Sequence, residues 1–346
     1  MGERLSPREE TILLGLVQRY IQSREPVASK VLAQENPEGL SPATVRNILT
    51  RLERRGLLSQ PHTSAGRVPT DEAYRYLAER ILEGCSAQED PDRSEVDRLM
   101  KDGSLNAVAR HISNTLAQSV HSLGFAVTPP LGEIRMRSCE LVPISADRVL
   151  WVVVSQAGQV HQKVLHTPEP YAPDELRWFS AYLSDTYGGW SFSEIRRSLR
   201  LQVEGERWEC SRRIGQALRL VAPYFLDHQD QRELFWDGAG WLLQAPELKA
   251  NLETVRSLLE SLRQKSGLLE LLDALAREKE PMRVVIGDDW PDPAVQHLAM
   301  VSAVFGGQDS GYGVVGIIGP KALSYDSAIP IVRQAARLAT LASSRL

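Results

Sequence analysis

Residues 41–70, SPATVRNILTRLERRGLLSQPHTSAGRVPT, constrain this chain more than any other stretch. Ser41 suits a helix N-cap, and Pro42 suits the first helical position, where a backbone N–H would have no partner anyway. Val45, Ile48, Leu49 and Leu52 recur at i, i+3, i+4 and i+7 and form one apolar stripe. The opposite face carries Asn47, Thr50, Arg51 and Arg54, flanked by Thr44 and Arg46. Gly56 stops the helix. LLSQP and GRVPT then read as two short strands around the tip HTSA, with Gly66 giving the tight turn and Pro69 ending the second strand. Thr70 is expected to cap a further helix, DEAYRYLAERIL.

Upstream, Ser6-Pro7-Arg8-Glu9 is a capping box with Pro at the first helical position. Ile12, Leu13, Leu16, Val17, Tyr20 and Ile21 give the helix behind it one apolar face, and a shorter helix lies around VASKVLAQE. Helix, helix, turn, helix, hairpin, helix is the order of a winged helix-turn-helix, here over residues 1–83. Such a unit places its second motif helix in the major groove of DNA, with the N-terminal residues of that helix at base edges. Thr44, Arg46 and Asn47 are then the candidates for reading bases, since Arg can bond bidentately to guanine and Asn to adenine. Thr50, Arg51 and Arg54 lie on the same face, with the two arginines placed to neutralise phosphates. Ser29 and Lys30, on the first motif helix, are candidate backbone contacts. His62, Thr63, Ser64, Gly66 and Arg67 form the wing, suited to phosphates or the minor groove. Loss of Arg67 is expected to weaken binding to every DNA sequence alike.

Charge agrees with this location. The chain has a formal net charge of −4. Residues 42–70 hold five arginines against Glu53 alone, a local +4, so the remainder sums to −8. A basic island on an acidic chain is a localised electrostatic footprint.

Other chemistries lack their signatures. No G-x-S-x-G elbow, P-loop, H-E-x-x-H or C-x-x-C occurs, and the reading is of a protein that is not an enzyme. Ser64 and His62 sit two apart on a hairpin tip, a poor geometry for a nucleophile and its base. Cys85, Cys139 and Cys210 are scattered and suggest neither a disulfide framework nor a metal motif. His161 and His166 are five apart on one strand and therefore face opposite ways. The match to G-x-G-x-x-G at Gly311, Gly313 and Gly316 falls among Val314, Val315, Ile317 and Ile318, which continue a strand through it; a dinucleotide loop must open a helix. No cofactor and no metal are expected. No run of about 18 apolar residues is present and the N-terminus lacks an apolar signal core, so a cytoplasmic protein without a membrane segment is expected.

Beyond the head, residues 84–104 read as a polar, acidic linker. A helix, LNAVARHISNTLAQSVHSLGF, leads into strands MRSCELVPIS, DRVLWVVVSQAG and QVHQKVLHTP. After a helix, PDELRWFSAYLSDTYGG, a block over roughly 190–276, rich in Leu, Arg and Trp, reads as mostly helical and includes LFWDGAGWLLQAPELK. Strand character returns in MRVVIGDD, VQHLAMVSAVFG and GYGVVGIIGP before a last helix. The simplest assembly joins the strands on both sides of the block into one antiparallel sheet, giving an α+β sensor-like domain over 105–189 and 277–346 with 190–276 inserted. Trp241, Leu242, Leu243, Leu258 and Leu262 are candidates for a dimer surface on that insertion, the alternative being that they form its own core.

The segments EPVASKVLAQ, LSPATVRNILTRLERRGLL and above all QPHTSAGRVPTDEAYRYL resemble the heat-inducible transcription repressor family HrcA. Ala28 and Ala73 stand where that family usually has Gly, mild departures outside the base-reading face. Two departures stand out: GAGWLLQAPEL, where the family commonly has Gly-Gly followed by Ser-Asn-Leu-Leu, and Gly287-Asp288-Asp289, where it usually has Gly-Glu-Asn. The resemblance implies a GAF-like domain interrupted by an inserted dimerisation domain. It also implies a homodimer on an inverted-repeat operator of double-stranded DNA upstream of chaperonin operons, with a chaperonin of the GroEL type as partner. A winged-helix regulator whose GAF-like domain senses a small effector is the other reading the residues allow.

Overall fold

The computed structural model describes residues 5–36, 39–62, 66–84, 105–168, 170–204, 212–227, 232–249, 251–264, 281–307 and 311–344. Cys85, Cys210, Thr63, Ser64 and residues 85–104 of the expected linker lie outside these residues, while Gly84, the first linker residue, ends a helix.

The head follows its local signals. Helix α1 (Pro7–Ser23) opens on Ser6, whose hydroxyl accepts from the Glu9 N–H while the Glu9 carboxylate accepts from the Ser6 N–H. It ends in Arg24 at φ 58°, a left-handed cap. Helix α2 (Ser29–Glu35) crosses to α3 (Pro42–Arg54), which Ser41 caps by accepting from the Thr44 N–H at 3.1 Å. Gly56 sits at φ +77°, the conformation that ends the helix. Strands β1 (Leu58–Ser59) and β2 (Val68–Pro69) pair antiparallel, and α4 (Asp71–Gly84) follows. Thr70 stands at the expected start of α4, its carbonyl accepting from the Ala73 and Tyr74 N–H groups, while its hydroxyl donates to the Gly56 carbonyl at 2.7 Å and links the two ends of the hairpin.

The body departs from the sequence reading in its sheets. Helix α5 (Leu105–Val120) stops earlier than expected. His121 turns to φ 50°, and LGFAV becomes β3 (Leu123–Val127), lying back along α5. Gly124 makes that approach possible: a Cβ there would lie 2.2 Å from the Ser113 carbonyl oxygen. The chain then forms β4 (Met136–Ser145), β5 (Arg148–Ser155) and β6 (Val160–His166), followed by α6 (Pro173–Tyr187), α7 (Phe192–Glu204) and α8 (Arg212–Asp227). LFWD, read as part of a helical run, is β7 (Leu234–Asp237). Short helices α9 (Ala239–Leu242) and α10 (Pro246–Lys249) lead to α11 (Leu252–Gln264), then β8 (Met282–Ile286), β9 (Leu298–Gly307), β10 (Gly311–Pro320) and α12 (Tyr325–Ser343).

The strands form two sheets in the body, where one was expected. The larger is antiparallel in the order β7-β3-β10-β9-β8, and the smaller is β4-β5-β6. The outer edge of β4 explains why they stay apart. Its Cys139 and Leu141 N–H groups donate to the hydroxyls of Ser184 and Ser180 on α6, at 3.0 and 2.9 Å. An edge satisfied in this way has no donors left at those positions for another strand. The inner face of the small sheet, with Leu141, Trp151 and Val153, packs on α6, α7 and α8. Trp151 stacks on Tyr224 with ring centroids 5.4 Å apart and meets Phe225 edge-on.

The larger sheet is covered on both faces. Val301, Val315 and Ile317 pack with α5 and α12, while Phe125, Met300 and Ile318 pack with α11 and its neighbours. The glycines of β10 make room for rings on adjacent strands: a Cβ at Gly316 would lie 2.7 Å from the Phe125 ring, and one at Gly313 2.3 Å from that of Phe305. GYGVVGIIGP is thus a core strand, as the sequence indicated, and no helix opens at its glycines.

The head is packed onto the body. Ile12, Leu13, Tyr74 and Leu77 of the head belong to one continuous apolar cluster with α5, α12 and the larger sheet. Around it, Lys321 Nζ lies 2.7 Å from Asp71 Oδ2, Arg75 Nε 2.9 Å from Asp289 Oδ2 and Arg24 2.8 Å from Glu247. No helix among the described residues is long and apolar enough to cross a membrane.

Candidate nucleic-acid interface

The solvent face of α3 presents Thr44, Arg46, Asn47, Arg51 and Arg54, all exposed, while Val45, Ile48, Leu49 and Leu52 are buried beneath them. Thr44 Oγ1 lies 2.9 Å from Ser41 Oγ, at the capped end of the helix. Arg46 and Asn47 sit one turn in, and neither takes part in an ion pair among the described residues. Thr50 is half-buried and donates its hydroxyl back to the Arg46 carbonyl, a common use for Thr inside a helix. Ser29 is half-buried at the start of α2, and Lys30 beside it is exposed. His62 is exposed just beyond β1.

Two acidic side chains that the sequence did not assign to the site, Glu9 and Glu53, organise this face. Glu9, 8% exposed, accepts from Arg51 Nε at 2.8 Å and lies 3.6 Å from Arg55. Glu53 accepts from Arg67 Nε at 3.0 Å, with the other arm of the guanidinium also at 3.0 Å. Glu9 looked like a local capping residue, and nothing near it in sequence points to a partner 42 positions away. Glu53 counted only as the one negative charge in a basic segment.

Arg67 is therefore not the free wing cation that the sequence suggested. Its side chain is 17% exposed, and its backbone exchanges two hydrogen bonds with Val27, each 2.9 Å. Gly66 serves this contact. Its φ is not positive, and a Cβ on it would lie 2.5 Å from the Val27 carbonyl carbon and oxygen.

The Arg51 guanidinium holds the Glu9 carboxyl well below its ordinary range, at about 2, with the Ser6 N–H adding to the effect. A carboxyl depressed in the folded state contributes stability that is fully present above its ordinary value near 4.5 and is lost as pH falls from there toward 2. Glu9→Gln is expected to flatten the acid limb of a melting-temperature profile over that window. An unchanged profile would refute the role given to Glu9.

The residues considered for a dimer surface separate. Leu242, Leu258 and Leu262 are 1–2% exposed and pack against the larger sheet. They lie in one cluster with Phe125, Met300 and Ile318, not in a separate core of the 190–276 block. Trp241 packs edge-on against His121, and Leu243 is exposed. Among the described residues no grouping of His, Cys, Asp or Glu could hold a metal ion.

Comparison with known proteins agrees with this architecture. Residues 4–83 match the family described as winged helix-turn-helix transcription repressor, HrcA DNA-binding, and residues 106–329 match the HrcA protein C terminal domain. The heat-inducible transcription repressors HrcA of two strains of Nitratidesulfovibrio vulgaris, DP4 and Hildenborough, are each 31% identical over 344 residues, which span 97% of this chain and 96% of theirs. A crystal structure described as that of a hypothetical protein shares the fold at a TM-score of 0.65, with 21% identity and 99% of both chains covered. With its winged-helix head and mixed helix-and-sheet body, the chain belongs to the HrcA family of heat-inducible transcription repressors.

Proposed function

We propose that the protein represses heat-shock chaperone operons from the cytoplasm. It would bind an inverted-repeat operator as a homodimer and be kept active by a chaperonin of the GroEL type. The observation that carries the DNA reading is the cationic face of α3, exposed while the apolar stripe behind it is locked into the head core. One winged helix makes few contacts. Two linked heads raise each other's effective concentration and read half-sites spaced by multiples of about 10–10.5 bp.

The dimer surface moves to the small sheet. On its outer face Val142, Leu150 and Val164 stand in one cross-strand row, with Ile144 and Val160 exposed nearby. Adjacent apolar side chains on a solvent face mark an interaction surface. The unit that carries it is built from Ile134 to Phe225, so we place the inserted module there and not at 190–276. The GAF-like domain then comprises α5, β3 and everything from β7 onward, behind a head that ends with α4.

Selecting bound sequences from a random duplex pool tests the reading. An inverted repeat is the expected product, and a single unpaired half-site would refute the dimer. Adding chaperonin should raise the fraction of protein active on the selected duplex. An unchanged fraction would favour control by a small effector.

A further inference from the structure

We infer that Arg67 is a positioning residue. It ties the wing to the recognition helix and to the segment before α2, and it does not hold a phosphate. Three independent contacts converge on it. Its guanidinium embraces Glu53 near the end of α3, with Nε and a terminal nitrogen both 3.0 Å from one carboxylate oxygen. Its backbone pairs in both directions with Val27, a 4%-exposed residue that leads into α2. Its neighbour Gly66 lies so close to the Val27 backbone that any side chain would collide with it. Wing, α2 and α3 are the elements through which a winged helix meets DNA, and all three meet at this junction.

The charge arrangement supports the same reading. Glu53 sits among arginines on the basic part of the head, where an unpaired carboxylate would repel DNA phosphates. Paired with Arg67, it is neutralised, and the pair becomes a brace. The phosphate-binding role stays with exposed cations such as Arg54 and Lys30.

This inference rests on the head being operator-binding, and Glu53→Gln separates the two roles by sign. If Arg67 held a phosphate, removing its competitor would free it and raise affinity for all DNA. If the pair is a brace, Glu53→Gln should lower the ratio of selected-duplex to scrambled-duplex affinity roughly fivefold, the scale of one net hydrogen bond. Arg67→Lys, which keeps the charge but loses the two-pronged geometry, should lower the ratio similarly. Both should leave the slope of log affinity against log salt unchanged, whereas loss of a phosphate contact lowers it by about 0.9. The exchange Glu53→Arg with Arg67→Glu should recover part of the ratio, which mere misfolding would not allow. A gain or no change in the ratio for Glu53→Gln, or a reduced slope for Arg67→Ala, would overturn the inference. Wild-type protein with no preference for the selected duplex would overturn the operator reading as well.

Discussion

Arg46→Ala is expected to cut the preference for operator over scrambled duplex by about ten- to a hundredfold, the range of one bidentate base contact. Arg46 lies one turn into α3, exposed and without an ion pair among the described residues, so its guanidinium is available to a base edge. Asn47→Ala should act in the same direction, since Asn suits adenine. Arg54 gives the contrast. It is exposed at the far end of the helix, where the groove wall carries phosphates. Its loss should weaken both duplexes about equally and lower the salt slope by about 0.9. Gel-shift titrations of the three variants at several salt concentrations read all of this together. An unchanged ratio for Arg46→Ala would mean that bases are read elsewhere.

Gly124→Ala should destabilise the protein by about 3 kcal/mol, the upper part of the usual range for overpacking. The added methyl would lie 2.2 Å from the Ser113 carbonyl oxygen and 2.7 Å from the Ala117 nitrogen, both backbone atoms of α5. Backbone cannot swing aside as a side chain can. β3 is also paired on both sides, to β10 and β7, so retreat would disturb two ladders. Gly307→Ala is the matched control, because no described residue lies within 4 Å of a Cβ there. Thermal unfolding should show a clear loss for the first and little change for the second. Equal melting temperatures would show that β3 can slide on α5.

The head was legible in sequence because its signals are local. Ser6, Ser41 and Gly56 each act within a few residues, and the helices begin and end where those residues place them. The body was harder, for reasons visible in particular elements. LGFAV is buried at every position because it is an inner strand of a sheet covered on both faces. It therefore lacks the alternation that identifies a strand and reads as the end of a helix. LFWD is four residues long and adjoins short helices. Which strands share a sheet depends on Ser180 and Ser184, about forty residues away from the edge they satisfy. Amphipathic spacing also shows that leucines such as Leu258 are buried without showing against what. At the candidate site, the exposed face of α3 could be read directly. The acids that hold its arginines could not, since Glu9–Arg51 is a tertiary contact.

The apolar cluster shared by head and body, edged by the Asp71–Lys321, Arg75–Asp289 and Arg24–Glu247 pairs, has a mechanical consequence. The reading head is keyed into the body, as a tooth is set in a gear, and does not hang from it on a tether. Gly287, where a Cβ would lie 1.8 Å from the Asp71 carboxylate, shows how closely the parts mesh. In the homodimer proposed above, the angle and separation of the recognition helices would be set by how the bodies meet. A shift in the larger sheet or in α12 would then become a change of pitch between the two heads of that proposed dimer, and α3 would lose its registration with DNA while every residue on its surface stays in place.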